Sequence, residues 1–359
     1  MIAYLILYLL ILIFYFISFI LNLKHKKSFL CFFSCLTIIV FQSIRNYSVG
    51  IDVKVYLENY HEINNLAFID ILKGQGKFEI GYMLLLKIFN IFNITDRLFL
   101  VLHSILIIIP IFYIIYKTED LGILAIITYM SFFVFTLTFS AYRQSIALSI
   151  CFVAFYYIRK KKFFKQFALI LLAMLFHRSA FIFFIAYPAY YFKTKLFYLP
   201  IILLFGILVF VFRNQLFEFG VKLIFPQYSY YGTSSIQQIN FLILLCIIFV
   251  FCLMFGGNNR AAVGYRNIIL IAIFIQIFAN VNVLATRFTA YFVILLCYPI
   301  QEVFNYQKRM ECNNSNKLLL KNINIITVAE LFLIIILIIY SIDNIVNVND
   351  VHLFPYILG

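Results

Sequence analysis

Long apolar runs parted by short cationic clusters recur along this chain and leave it few possible folds. Residues 2–23 form the first run, closed at once by Lys24-His25-Lys26-Lys27. About 20 apolar residues cross the hydrocarbon core of a bilayer as a helix. A helix satisfies its own backbone hydrogen bonds there, where no water can. The expected class is therefore an all-α polytopic membrane protein, forming a single membrane-embedded domain over residues 1–359. Composition agrees: 65% of the residues are apolar, 12% are charged and mean hydropathy is +1.02, against roughly 45–50% apolar in soluble domains. With 26 Tyr and no Trp, Tyr must supply any aromatic belt at the membrane surface.

The cationic clusters set the expected topology, because cytoplasmic loops carry the excess of Lys and Arg. Clusters at 24–27, 159–165, 193–195, 260–266 and 308–321 fall inside, with Arg159-Lys160-Lys161-Lys162 the strongest marker. Two longer polar segments, 45–78 and 213–240, then lie on the outer face. Apolar segments at 29–44, 79–93, 98–116, 142–158, 196–212, 241–255, 267–283, 288–304 and 323–341 complete the set, with 163–192 as a short hairpin turning at His177-Arg178-Ser179. Counting from the two ends of the chain puts Arg143 on opposite sides. The conflict is resolved if 121–139 dips in and returns or splits into two short spans, giving about 12–14 transmembrane helices with short or re-entrant segments.

The net charge of +14 does not point to nucleic acid, since the cations lie in short loops and no basic soluble domain exists. Six of the seven Cys sit in apolar spans, Cys312 lies in a cationic loop, and none forms a CxxC pair. Neither a disulfide framework nor a metal site is expected. His61, His103 and His352 have no partner at metal-ligand spacing, and no cofactor motif is present. The opening Met1-Ile-Ala-Tyr-Leu has no cationic region and no cleavage site before Lys24, so a retained first span is expected.

Candidate chemistry gathers on the outer rim. In Arg45-Asn-Tyr-Ser-Val-Gly-Ile-Asp52, Gly50 permits a tight turn into a helix. On that helix Asp52, Tyr56 and Tyr60 would share one face. The plainer alternative makes Asp52 an N-cap and Arg45 a snorkelling charge. Glu79 puts a carboxylate at membrane level, which is costly unless paired. Arg143 starts its span beside Tyr142 and Gln144, and Arg287 lies in a second rim motif one turn before Tyr291. Arginine forks bind phosphate oxygens bidentately and keep their charge, so Arg143 and Arg287, with Arg45 third, suit a lipid-borne diphosphate. The alternative for Arg143 is an interfacial structural arginine. His177 reads equally as a capping group or as a proton donor to phosphate. Tyr228 and Tyr230 suit sugar recognition or an ordinary interface belt, and sugar contact is also assigned to Tyr56, Tyr142, Gln144 and Tyr291.

Five ordered motifs together resemble the EpsG family, a Wzy-like group of bacterial polysaccharide polymerases. They are Arg45-Asn-Tyr-Ser-Val-Gly-Ile-Asp52, Phe78-Glu79-Ile-Gly-Tyr82, Tyr142-Arg143-Gln144-Ser-Ile-Ala, Leu-Phe-His177-Arg-Ser-Ala, and Arg287-Phe-Thr-Ala-Tyr291-Phe. One departure is Ile51, where the family usually has Thr. The resemblance implies a glycosyltransferase-C-like membrane enzyme at the outer face of the cytoplasmic membrane. It would join oligosaccharide repeat units carried on undecaprenyl diphosphate to make O-antigen, capsule or exopolysaccharide. Flippase and chain-length-regulator proteins are its expected neighbours. In that chemistry Arg143, Arg287 and Arg45 steady the leaving diphosphate, Asp52 or Glu79 is the base, and His177 positions or protonates the diphosphate. An O-antigen-type ligase shares the donor chemistry, and a lipid-linked oligosaccharide flippase is the rival from another class.

Overall fold

The computed structural model describes residues 2–21, 24–224, 236–282, 285–314, 319–348 and 352–359. Tyr228 and Tyr230 lie outside the described residues. The chain is all-α: along it run α1 (Ile2–Ile20), α2 (Lys26–Ser43), α3 (Val53–Glu62), α4 (Phe68–Leu72), α5 (Ile80–Ile91), α6 (Asp96–Lys117), α7 (Ile123–Ser131), α8 (Phe133–Leu137), α9 (Tyr142–Arg159) and α10 (Phe163–Phe176). After them come α11 (Ala186–Tyr191), α12 (Leu199–Val211), α13 (Arg213–Ile224), α14 (Ile236–Phe255), α15 (Arg260–Ala279), α16 (Ala285–Val293), α17 (Cys297–Asn314) and α18 (Leu319–Asp343). Two compact units emerge, one of residues 1–181 and 327–359, the other of residues 182–326.

Seven helices among the described residues are long and apolar enough to cross a membrane, or up to eight if the bent α12–α13 pair is one span. The protein is thus polytopic, with fewer full-length helices than the 12–14 expected. Length accounts for part of the difference. At about 1.5 Å per residue, α5 with 12 residues and α10 with 14 fall short of a hydrocarbon core of about 30 Å. The stretch 121–139 is split, as α7 and α8 are separated by an extended Phe132 (φ −97°, ψ 159°). A 75° bend divides α12 from α13, so the polar segment 213–240 begins and ends as helix rather than as loop.

In the first unit α2 packs on α1 and α6, and α9 packs on α6 and α10. The short α5 lies against α3, α4 and α10. Gly81 allows that last contact, since a Cβ there would stand 2.8 Å from both Cβ and the carbonyl oxygen of Leu175. Helix α6 starts cleanly because the Thr95 side chain accepts from the Leu98 N–H, a standard N-cap. In the second unit α15 is central, contacting α11, α12, α14, α16 and α17. Its N-cap is Asn259, whose side chain accepts from the Ala262 N–H at 2.8 Å. The outer flank of α12 leaves Ile201, Leu203, Leu204 and Phe205 more than half exposed, as a lipid-facing helix does.

Residues 352–359 return across the beginning of the first polar segment. The Asn46 N–H donates to Ile357 O at 2.7 Å, the Gly50 N–H to His352 O at 3.1 Å and the Gly359 N–H to Ile44 O at 2.9 Å. Tyr356 stacks on Phe41 with ring centroids 4.3 Å apart, and the Tyr4 hydroxyl donates to Leu353 O.

Candidate functional site

The first unit builds its site from three chain segments that meet on one carboxylate. Glu79 immediately precedes α5, outside every helix long enough to span, and its side chain is only 12% exposed. Oε2 pairs with Arg143 Nη1 of the first turn of α9. Oε1 lies 3.1 Å from His177 Nδ1, at the C-terminal end of α10, and 3.3 Å from the Arg178 backbone N–H that donates to it. Burial alone would raise the Glu79 carboxyl, but the His177 hydrogen bond and the Arg143 charge outweigh it and hold it down at about 2. The carboxylate is therefore paired twice, and one anion fixes the spacing of a guanidinium and an imidazole.

Aromatic rings back this cluster. The Arg143 guanidinium lies 4.1 Å from the Phe78 ring centroid, and its Nε donates to the Tyr56 hydroxyl at 3.4 Å. Behind Tyr56 stand Tyr142 at 5.2 Å and Tyr82 at 5.4 Å between centroids. Tyr142 stacks on His103 at 4.4 Å, and His103 Nε2 meets the Tyr82 hydroxyl at 3.1 Å. Such a wall excludes water on one side and strengthens the ionic contacts in front of it.

Asp52 joins from α3. It stands at the N-cap position, yet its side chain makes no cap bond. Its backbone N–H instead donates to Ser140 Oγ at 3.1 Å while Ser140 Oγ donates to Oδ2 at 3.2 Å. The turn into α3 is the one expected at Gly50: φ is +106°, and a Cβ would sit 2.3 Å from Phe139 O. Only Gly takes that conformation and that approach. Asp52 and Tyr56, one turn apart, thus present the loop's carboxylate and phenol beside Ser140 and Arg143.

Arg45 behaves differently from its expected phosphate role. It is fully buried: Nε donates to Val49 O at 3.1 Å, Nη1 to Gln42 O at 2.6 Å, and Nη2 to Phe139 O at 2.8 Å and to the Tyr142 hydroxyl at 2.7 Å. Neither a snorkelling charge nor a ligand arginine, it ties the polar segment to the turn before α9. The expected sugar contacts at Tyr142, Gln144 and Tyr291 also meet a physical obstacle, since they are 1%, 4% and 0% exposed. Tyr142 spends its hydroxyl on Arg45 and its ring on His103, and Tyr291 packs near Phe183. Arg287 belongs to the second unit, exposed in the first turn of α16.

Ser140 and His103 take part without having been given a role, and Phe78 and Tyr82 were marked only as the ends of a family motif. For His103 a signal existed, because an ionisable group within an apolar span marks a site by default. For Ser140 none did. The matching family model is that of the EpsG family, and it covers residues 28–358. The chain belongs to the EpsG family. All five motifs lie inside the matched region, and membership makes this EpsG-family protein a polysaccharide polymerase-type membrane protein. No curated protein matches the chain, and no solved structure does.

Proposed function

We propose that this EpsG-family protein polymerises oligosaccharide repeat units at the outer face of the cytoplasmic membrane, using glycan donors carried on undecaprenyl diphosphate. The observation that carries the reading is the bridging of Arg143 and His177 by Glu79, beside the Asp52–Ser140 pair. Transfer forms a bond between an acceptor sugar hydroxyl and the donor's anomeric carbon and breaks the bond from that carbon to the lipid diphosphate. The diphosphate oxygen keeps the electron pair, so positive charge must be waiting there.

Arg143 supplies it. Nη1 and Nε are engaged by Glu79 and Tyr56, Nη2 takes part in neither bond, and the side chain is 22% exposed. The N-terminus of α9 adds its dipole to the same spot. His177, held at Nδ1 by Glu79, is the second donor to the diphosphate. With its carboxylate so strongly ionised, Glu79 is a poor base and serves as a positioning residue. The hydroxyl proton then goes to Asp52, whose remaining lone pairs accept it while Ser140 keeps the carboxylate in place. Tyr56, 4% exposed and bonded to Arg143, meets the same obstacle to sugar contact as Tyr142 and Gln144 and instead backs the arginine. Arg287, in the second unit, keeps a phosphate role as a separate proposal: Arg287→Ala should slow polymerisation in the same assay.

The test gives purified protein in lipid a synthetic polyprenyl-diphosphate repeat unit and resolves the products on a gel. Wild type should produce a ladder, and Arg143→Ala should slow it by roughly 10²–10³-fold, the usual loss for one transition-state donor. An undiminished ladder in Arg143→Ala would overturn the arginine assignment. Transbilayer movement of the substrate with no ladder would replace the polymerase by a flippase.

A further inference from the structure

The second unit buries an arginine that the polymerase chemistry does not use. Arg266, within α15, is 6% exposed. Its Nη2 donates to Asn258 Oδ1 at 2.9 Å, while Nη1 is buried and meets no acceptor among the described residues. A guanidinium does not escape such a position by deprotonating. Burying it without a full set of acceptors is strongly disfavoured, so an anion is the natural complement.

A shallow cleft lies beside the guanidinium, open to solvent and lined by Arg266, Lys195, Leu199, Phe249 and Leu253. No carboxylate is among its described lining residues. The mouth is held in place by Asn267, which donates to Ala189 O and Phe192 O at 2.8 Å each and accepts from Thr194 Oγ1 at 2.6 Å. That clamp fastens the segment carrying the exposed Lys195 to α15. One end of the cleft is thus cationic and the remaining wall is apolar. It opens among helices whose flanks, such as Leu203 and Leu204 of α12 and Ile247 and Met254 of α14, are exposed and apolar. An amphiphile with an anionic head and a hydrocarbon tail fits both surfaces, and basic pockets between membrane helices take such head groups.

We propose that Arg266 and Lys195 form a phosphate site for the head group of an anionic phospholipid, seated between α12, α14 and α15. It lies at the end of the second unit that the distribution of Lys and Arg assigns to the cytoplasm. It is independent of the polymerase reading and stands or falls separately.

The experiment follows thermal unfolding of the full chain in neutral detergent with added phosphatidylglycerol, phosphatidylcholine or inorganic phosphate. Phosphatidylglycerol should raise the apparent melting temperature of the wild type by roughly 3 °C, and the other two should not. Arg266→Leu should melt no lower than wild type without added lipid, because an unsatisfied charge has been replaced by an apolar group, and should lose the phosphatidylglycerol shift. Lys195→Gln, on the exposed rim, should fold normally and lose part of it, which keeps the test decisive if Arg266→Leu fails to fold. A full shift in either variant, or an equal shift with phosphatidylcholine, would overturn the site. The same shift with inorganic phosphate alone would overturn the lipid and assign a soluble anion.

Discussion

Replacing Glu79 by Gln removes the anion on which Arg143 and His177 converge while keeping the shape of the side chain. The carboxyl falls from 4.5 to about 2 in the folded protein. At about 1.4 kcal/mol per pKa unit, the interactions favouring its charged form are worth about 3 kcal/mol. Because the folded value is the depressed one, this stability is fully present above the unfolded value of 4.5 and is lost as pH falls toward 2. Glu79→Gln should therefore unfold about 3 kcal/mol more easily near neutral pH, a drop in apparent melting temperature of roughly 6–10 °C. At about pH 3 the wild type has itself lost about 2 kcal/mol from this group, so the gap between the two proteins should narrow to about 1 kcal/mol. Unfolding in detergent at the two pH values measures both numbers. Polymerisation should also slow without a shift in the acid limb of its pH profile, since Glu79 is already ionised across that limb. A variant as stable as wild type near neutral pH, or a gap that stays constant down to pH 3, would refute the pairing as the source of the depressed carboxyl.

Three further outcomes separate holding roles from chemical ones. Arg45→Lys cannot reproduce four hydrogen bonds in fixed directions and should cost about 2–4 kcal/mol. It should be seen as lost folded yield, while the surviving protein binds a diphosphate lipid as wild type does. Gly50→Ala meets both a positive φ and the Phe139 carbonyl and should destabilise by about 2 kcal/mol or more, measured by the same unfolding assay. Asp52→Asn keeps a partner for Ser140 but not a base. Its ladder should slow by about 10²–10⁴-fold with donor binding unchanged in a lipid-binding assay, and weakened donor binding would remove Asp52 from the proton-transfer role.

What the sequence revealed follows from how local the information was. The apolar runs sufficed for the class, and Gly50 for the turn into α3, because each is written within a few residues. Glu79 announced that it needed a partner, since an unpaired carboxylate at membrane level is too costly. It could not say which partner, because Arg143 and His177 stand 64 and 98 residues away. Arg45 was misjudged for a related reason: an arginine at a span end reads as reaching for water, and only the carbonyl of Phe139, 94 residues on, shows it turned inward. Hydropathy could not tell which apolar runs make long helices, because it does not separate a 12-residue helix like α5 from one of 19 residues like α1.

The crossing of residues 352–359 over the first polar segment bears on biogenesis. Tyr4 and Leu353 are 349 positions apart, and Asn46 and Gly50 likewise wait for Ile357 and His352. During synthesis the early helices enter the membrane long before these partners exist, so the stretch holding Arg45 and leading to Asp52 has its bonds to Phe139, Ser140 and Tyr142 but lacks those to the tail until translation has passed residue 350. Nascent chains stalled before that point should be cut by protease between residues 45 and 52 faster than the finished protein is. The helices are inserted first, and the last bonds to the turn that leads to the proposed base form only afterwards.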